Sequence, residues 1–402
     1  MDRRRLGVWL IGALGSISAV VILGALALRK RLTHPTGMIT AIEPFSNLGL
    51  APLETLEFGG CDIRTGSLGQ VVQMFTRETG CIDPAILNKV EPDLNMIGQD
   101  ITLGTSRNCG EAVELLGNLG NCKLTLREDI QRVINLLHKF KSSRRVDEIV
   151  VVNLASTEPP LEVGKQHKDL SIFEKCLDRN EANTVRASTI YAYAAVDAGC
   201  PYINFTPSTG ALLPAIVQFA EQKNVPVMGN DGKTGETLVK SALAPMFACR
   251  NLEVLSWEGF NILGNMDGRV LAHPENKESK ILTKDGVLSK ILGYSPHSKV
   301  HIDYVPSLSD QKTAWDFIHF KGFLDAKMSL QFVWQGYDSL LAAPLILDLV
   351  RFADFAKMRG ETGIMPHLAC YFKDPLGVHE HRLYEQFRML VDYGVQAQRT
   401  AV

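Results

Sequence analysis

The sequence predicts an α/β protein, a doubly wound parallel sheet carrying an inserted α+β domain, and three observations carry that prediction. An apolar run at 6–11 meets a glycine turn and then an apolar helical stretch. From about residue 125 to 240 short buried strands alternate with amphipathic or apolar helices. After residue 250 longer, partly alternating strands take over, before one long apolar helix at 338–358. Strict βα alternation implies parallel strands with ligands at their carboxyl ends, whereas a late run of strands implies a second sheet. The 402 residues suffice for two or three domains. A formal net charge of -2 gives no ground for a nucleic-acid partner. The eight cysteines are scattered without a C-x-x-C pair, which argues against a zinc site or disulfide framework and fits a reducing cytoplasm.

Taken in order, the first segment has two readings. MDRRR is followed by an uncharged stretch at 6–28 and closed by RKR at 29–31. Length and hydropathy alone suit a membrane span or a signal peptide. The alternative is a strand at 6–11, a turn at 12–15 and a helix at 16–28, the first unit of a Rossmann-like fold whose central strand and helix are both apolar. The rest of the chain favours this second reading and no membrane partner. An anchor would precede a domain complete without it, whereas this sheet needs a first strand. Residues 30–44 then read as a connection.

Further on, Leu126, Ile130, Val133, Ile134 and Leu137 share one helical face. Strands are expected at 149–152, 201–204 and 225–228, with helices at 187–198 and 212–222 and another beginning after Thr234. In the insert, strands are expected at 252–257, 299–304 and 328–334, and another is expected to end at Asp310 and Lys312. Residues 263–268 read as a polar loop, and 338–358 as one helix with Pro344 in its early turns and Gly360 after it. The expected division is 1–240 for the cofactor domain, 241–342 for the insert and 343–402 for a segment returning to the first domain.

Several strand ends carry candidate chemistry. The turn Gly12, Ala13, Leu14, Gly15, with Ser16 and Ile17 opening the helix, suits a pyrophosphate held by backbone N–H groups. Alone it is a weak signal, since two of the usual three glycines are present and no acid occurs between Asp2 and Glu43. Asp62 is therefore the candidate for the ribose hydroxyls; the plainer alternative is a turn that only permits tight packing. Ala155, Ser156 and Thr157 follow the 149–152 strand with small side chains where a cofactor could approach. The segment GNDGKTG at 229–235 gathers Asp231, Lys233 and Thr234 at a strand-to-helix turn, but lacks the G-x-x-x-x-G-K-[ST] spacing of an ATP loop. Helix capping by Asp231 and Thr234 is its bland reading. Lys280 and Lys284, four apart, share a face if helical, and Lys312 and Lys373 lie further along. A single lysine is usually solvated surface; four converging on one pocket could hold a phosphate, stabilise an enolate and shift each other's pKa.

From about 153 to 375 the chain resembles the myo-inositol-1-phosphate synthase family, in its shorter archaeal or bacterial form. The family's G-D-D-x-K-[ST]-G appears as GNDGKTG at 229–235, its L-G-N-x-D-G as 263–268, and its S-K-x-x-x-K as 279–284. Its G-D-x-K appears as SDQK at 309–312 and its D-S-x-L-A-x-P as 338–344. Asn230 and Ser309 depart from that pattern, and Cys61 stands where Trp is common, while the four lysines survive. The resemblance implies NAD as cofactor and a sugar phosphate, D-glucose 6-phosphate, as substrate. It implies oxidation at C5, enolisation, intramolecular aldol closure and reduction to inositol 1-phosphate. It places Lys280, Lys284, Lys312 and Lys373 around substrate and phosphate. Asp231, Asp267, Asp310 and Asp338, with Thr234, Asn265 and Ser339, then serve the nicotinamide end or orient those lysines. A divalent metal or ammonium ion is a further implied group with no dedicated cage in the sequence. A homotetramer built through the inserted sheet is also implied. Two rivals stay open: a related NAD-dependent sugar-phosphate oxidoreductase, and a membrane-anchored, non-catalytic NAD-binding homologue.

Overall fold

A computed structural model describes residues 4–117, 124–271 and 287–400. Strand β1 (Leu6–Ile11) lies near the middle of a seven-stranded sheet, because both of its faces are apolar. Leu6, Val8 and Leu10 enter one core, and Trp9 and Ile11 enter the other. Around it pair β2 (Leu56–Asp62), β3 (Ile101–Leu103), β4 (Glu148–Asn153), β5 (Tyr202–Asn204), β6 (Pro226–Met228) and β11 (Gly363–Ile364). All are parallel, in the order β11-β6-β5-β4-β1-β2-β3. The order reverses between β1 and β4, the switch point where a doubly wound sheet opens its ligand crevice.

Helix α1 (Ser16–Arg29) explains the hydropathy of the amino-terminal segment without a membrane. Its 14 residues pack beside the long helix α11 (Asp338–Met358) in the same core as Leu6, Val8 and Leu10 of β1, so Val20, Val21, Ile22 and Leu26 are buried in protein. No helix among the described residues is long and apolar enough to cross a bilayer. Helices α5 (Leu126–Arg144), α7 (Ala187–Asp197) and α8 (Pro214–Lys223) cover the opposite face. Helix α5 carries a full capping box, Thr125 with Glu128, at its start. Helix α8 begins two residues later than expected, because Pro214 suits the first helical position.

Helix α9 (Gly235–Cys249) leads to a second, four-stranded sheet in the order β10-β9-β7-β8. Its strands are β7 (Glu253–Leu263), β8 (His297–Tyr304), β9 (Gln311–Lys321) and β10 (Lys327–Tyr337). Three expectations are corrected here. Strand β7 runs to Leu263, not Trp257. Lys312 sits at the start of β9, not at the end of a strand. Residues 266–268, expected as part of a loop, instead open a short helix, α10 (Met266–Leu271). One face of this sheet packs on α9 through Trp257, Phe247 and Ile318.

Candidate functional site

A cleft of about 1880 Å³, mouth included, runs along the carboxyl ends of the first sheet and under the second. Its floor at β1 is set by Gly12, whose φ of +81° favours glycine and whose Cβ would lie 3.1 Å from the Ala155 backbone. The Gly12 and Ala13 N–H groups donate to the Cys61 carbonyl at 2.9 and 3.0 Å, which ties the turn to the end of β2. Ala13 is buried against Gly60 and only Gly12, Leu14, Gly15, Ser16 and Ile17 reach the cleft. Gly15 caps α1 without a side-chain acceptor, and the first turn holds no acid. Its N–H groups and dipole therefore remain open to an anion.

Asp62 is only 4% exposed and bridges two elements. Its Oδ2 accepts the Leu14 N–H at 2.9 Å and its Oδ1 accepts the Arg64 N–H at 2.9 Å and Nε at 3.0 Å. Arg64, absent from the expected set, also lines the cleft. On the opposite wall Ala155, Ser156 and Thr157 follow β4. Behind them Glu158 is buried and accepts the Ser188 N–H at 2.8 Å and its hydroxyl. Burial raises the Glu158 pKa against the pull of those bonds.

The far end of the cleft holds three polar pairings. Residues 371–376 run beside 229–233: Lys233 N–H donates to the Tyr371 carbonyl at 2.8 Å and Lys373 N–H to the Asp231 carbonyl at 2.7 Å. This brings the Lys373 ammonium 2.8 Å from Asp231 Oδ1 in a nearly dry setting. Lys312 Nζ lies 3.2 Å from Asp338 Oδ2, joining the start of β9 to the first residue of α11. A Cβ on Gly235 would stand 3.2 Å from Asp338 Oδ1 and 3.6 Å from Lys312 Nζ, so this pair abuts the start of α9. Asp310 sits just behind, accepting from Ser339 Oγ at 3.0 Å and Asn265 Nδ2 at 3.3 Å. Burial pushes its carboxyl up to about 6, and the nearby Asp338 charge adds to the rise, against both hydrogen bonds.

Asp231, Thr234, Asn265, Lys312, Asp338, Ser339 and Lys373 thus share one cleft with the glycine turn. Asp267 falls within α10, and the residues Lys280 and Lys284 lie outside the described ones. Lys233 turns away from the cleft, unlike its neighbours Asp231 and Thr234. Thr234 is the N-cap residue of α9 but makes no side-chain cap, which removes the bland reading for it.

Sequence reasoning missed a buried charge array beneath the cleft. Lys240 Nζ lies 2.5 Å from Glu236 Oε1 and 3.8 Å from Asp316 Oδ1. Asn261 Nδ2 donates to Glu236 Oε2 at 2.6 Å, and Trp257 Nε1 to Asp316 Oδ1 at 2.7 Å. Glu236 also lines the cleft. The available signal was a Glu and a Lys four apart on an otherwise apolar helix.

Similarity to known proteins agrees with this geometry. An NAD-binding family described as "Myo-inositol-1-phosphate synthase" matches residues 6–393. An inositol-3-phosphate synthase 1 of Bacteroides thetaiotaomicron is 33% identical over 96% of this chain and 94% of its own. An Arabidopsis thaliana inositol-3-phosphate synthase isozyme is 34% identical over 58% of this chain, spanning 47% of the plant protein. Among solved structures, a myo-inositol-1-phosphate synthase-related protein of Thermotoga maritima superposes with a TM-score of 0.79 at 26% identity, covering 97% of this chain and 99% of that one. The inositol-3-phosphate synthase of Caenorhabditis elegans, at 23% identity, shares the fold with a TM-score of 0.86 over 98% of this chain and 86% of its own. With a doubly wound sheet, an open helix terminus at its first turn and the family profile matched almost end to end, the chain belongs to the myo-inositol-1-phosphate synthase family.

Proposed function

We propose that this protein converts D-glucose 6-phosphate to 1L-myo-inositol 1-phosphate with NAD as a recycled cofactor. The observation that carries the reading is a single cleft holding two lysine–carboxylate pairs, one buried and one partly buried, opposite an uncapped helix terminus. The first turn of α1 suits a pyrophosphate, and Asp62 at the tip of β2 suits the adenosine ribose, so the residues fit a dinucleotide. The cofactor's chemistry here is reversible hydride transfer at C5 of the sugar.

The chain's own residues do the rest. Lys312 and Lys373 present ammonium groups to the substrate phosphate and to the oxygen on which charge grows during enolisation and ring closure. Asp338 and Asp231 hold those amines in place, each through a contact that limits the lysine's rotamers. Lys280 and Lys284, by their motif, complete the cationic set, and Asp267 belongs with them. Asn265 and Ser339 orient Asp310 at the nicotinamide end. Ala155, Ser156 and Thr157 leave room for the cofactor along the β4 wall. For a divalent metal or ammonium ion we infer Asp310 and Asp338 as the holders, since Asp310 Oδ2 is buried without a hydrogen-bond partner among the described residues.

We read 1–240 and 343–402 as the cofactor unit and 241–342 as the catalytic insert. The proposed assembly is a homotetramer in the cytoplasm. Free cysteines among the described residues support a reducing compartment. A row of exposed and half-exposed residues supports self-association: half-exposed His301 and exposed Phe260, Trp315 and Val333 are direct cross-strand neighbours on the sheet face away from α9. Phe260 stacks on His301 at 4.4 Å and on Trp315 at 5.2 Å between ring centroids.

The test is phosphorus NMR with glucose 6-phosphate and catalytic NAD⁺, with NADH absorbance followed alongside. Inositol 1-phosphate without NADH build-up is expected. Accumulating NADH with an open-chain product would move the assignment to an ordinary sugar-phosphate dehydrogenase.

A further inference from the structure

A second cavity lies behind the turn that closes the cleft. Thr234 lines both spaces, whereas Asp231 and Gly232 face the cleft and Lys233 and Gly235 face the rear. The rear cavity is open at its mouth and spans about 1260 Å³ with the adjoining solvent space counted. Leu238, Leu341, Pro344, Leu345 and Phe387 form much of its wall, and Tyr384, 70% exposed, stands at its rim.

Lys233 is the one charged side chain among the described residues that line this space, and it is only 3% exposed. Its amine donates to the Gln386 side-chain oxygen. Gln386 is itself fully buried and donates to the Glu380 carbonyl at 2.6 Å, which fixes its oxygen toward the lysine. Among the described residues no carboxylate forms an ion pair with Lys233, unlike Lys240, Lys312 and Lys373. A neutral amide oxygen satisfies one of three donors and leaves the charge uncompensated in an apolar surrounding. Burial accordingly lowers the amine to about 8.

We propose that this cavity is a binding site for an amphiphilic anion, its carboxylate or phosphate head on Lys233 and its medium-length apolar body against the leucine walls. The charge and the apolar lining each call for one half of such a molecule. The site has a route to the cleft: a ligand pressing on Thr234 and Gly235 pushes toward Asp338 and Lys312, which a Gly235 Cβ would already touch. The inference stands apart from the proposed reaction, and its test needs no turnover.

The full chain is titrated calorimetrically with decanoate, decyl phosphate and decanol. Both anions are expected to bind saturably, and decanol at least tenfold more weakly; the ratio of the two anions tells which head group the site prefers. Lys233→Met is expected to abolish the preference for charge, and Leu341→Trp to block all three ligands with the amine intact, each variant being checked for its fold by circular dichroism. Equal affinity for decanol and decanoate would overturn the proposal. So would anion binding unchanged in either folded variant, or no saturable binding to the wild-type protein, as when a second copy of the chain covers the mouth. Should Lys233→Met fail to fold, the decanol comparison and Leu341→Trp still decide the matter.

Discussion

Lys312 and Lys373 each carry one carboxylate partner and little solvent, and that pairing makes their roles testable one residue at a time. Replacing either by Met is expected to lower turnover by about 10²–10³-fold, the usual loss for one preorganised charge at a developing oxyanion. NAD affinity should stay unchanged in both variants, as measured by quenching of intrinsic fluorescence. Asp62→Ala removes both the Leu14 contact and the proposed ribose acceptor, and should weaken NAD binding by about tenfold, or about 1.4 kcal/mol. Asp310 gives a pH prediction. Its folded-state value of about 6 exceeds the ordinary 3.8, so the fold holds this proton more tightly than the open chain does. Its contribution to stability is fully present below about pH 4 and is lost as pH rises through 6, a change of roughly 3 kcal/mol. Asp310→Asn should therefore melt higher than the wild type at pH 7 and show no such gain at pH 4, by thermal unfolding at both values. A stabilised but slower enzyme would be the expected trade at a functional carboxylate.

At the scale of elements, most of the first sheet was legible because its strands are buried on both faces and its helices are periodic. Strand β1, helix α1, strand β4 and helix α7 fall within a residue or two of expectation. The insert was harder for a specific reason. The inward positions of β9 include Lys312 and Asp316, charged residues where a core pattern is sought. Their partners Asp338, Lys240 and Trp257 come from other elements, so local hydropathy cannot reveal that they are buried. Strand β7 was cut short at Trp257 because Glu258, Gly259 and Asn261 interrupt its apolar pattern. Gly259 is small there because a Cβ would meet Glu236 Oε1 at 2.6 Å. The same kind of close approach gives an element-level prediction at Gly60, where a Cβ would stand 2.2 Å from the Leu10 carbonyl. Gly60→Ala should force β1 and β2 apart and cost about 2 kcal/mol or more, measured by urea unfolding.

For the whole molecule, two predictions separate competing pictures. Deleting residues 1–31 removes β1 and α1 from the centre of the first sheet, so no cooperative unfolding transition should remain. A folded, soluble product would restore the view that this segment is an appendage. Trp315→Glu places a charge in the exposed row that includes Phe260 and Val333. Sedimentation should then show a species smaller than the wild type, with the melting temperature little changed because the substituted side chain is already 38% exposed.

The sequence by itself determined the fold class, the first βα unit and the order of the motifs, because periodicity and glycine placement act over a few residues. It also named many of the polar residues that line the described cleft, though not Arg64, Glu158 or Glu236. What it could not supply was partnership. Asp231 and Lys373 are 142 positions apart, and only the backbone pairing of 229–233 with 371–376 makes them an ion pair. The direction of Lys233, away from its neighbours and into an apolar cavity, was likewise decided by packing against α11 and the helix α12 (Leu383–Thr400). Contacts of this range depend on which elements stack on which, and a buried charge is legible only once its counter-charge, or the lack of one, is in place.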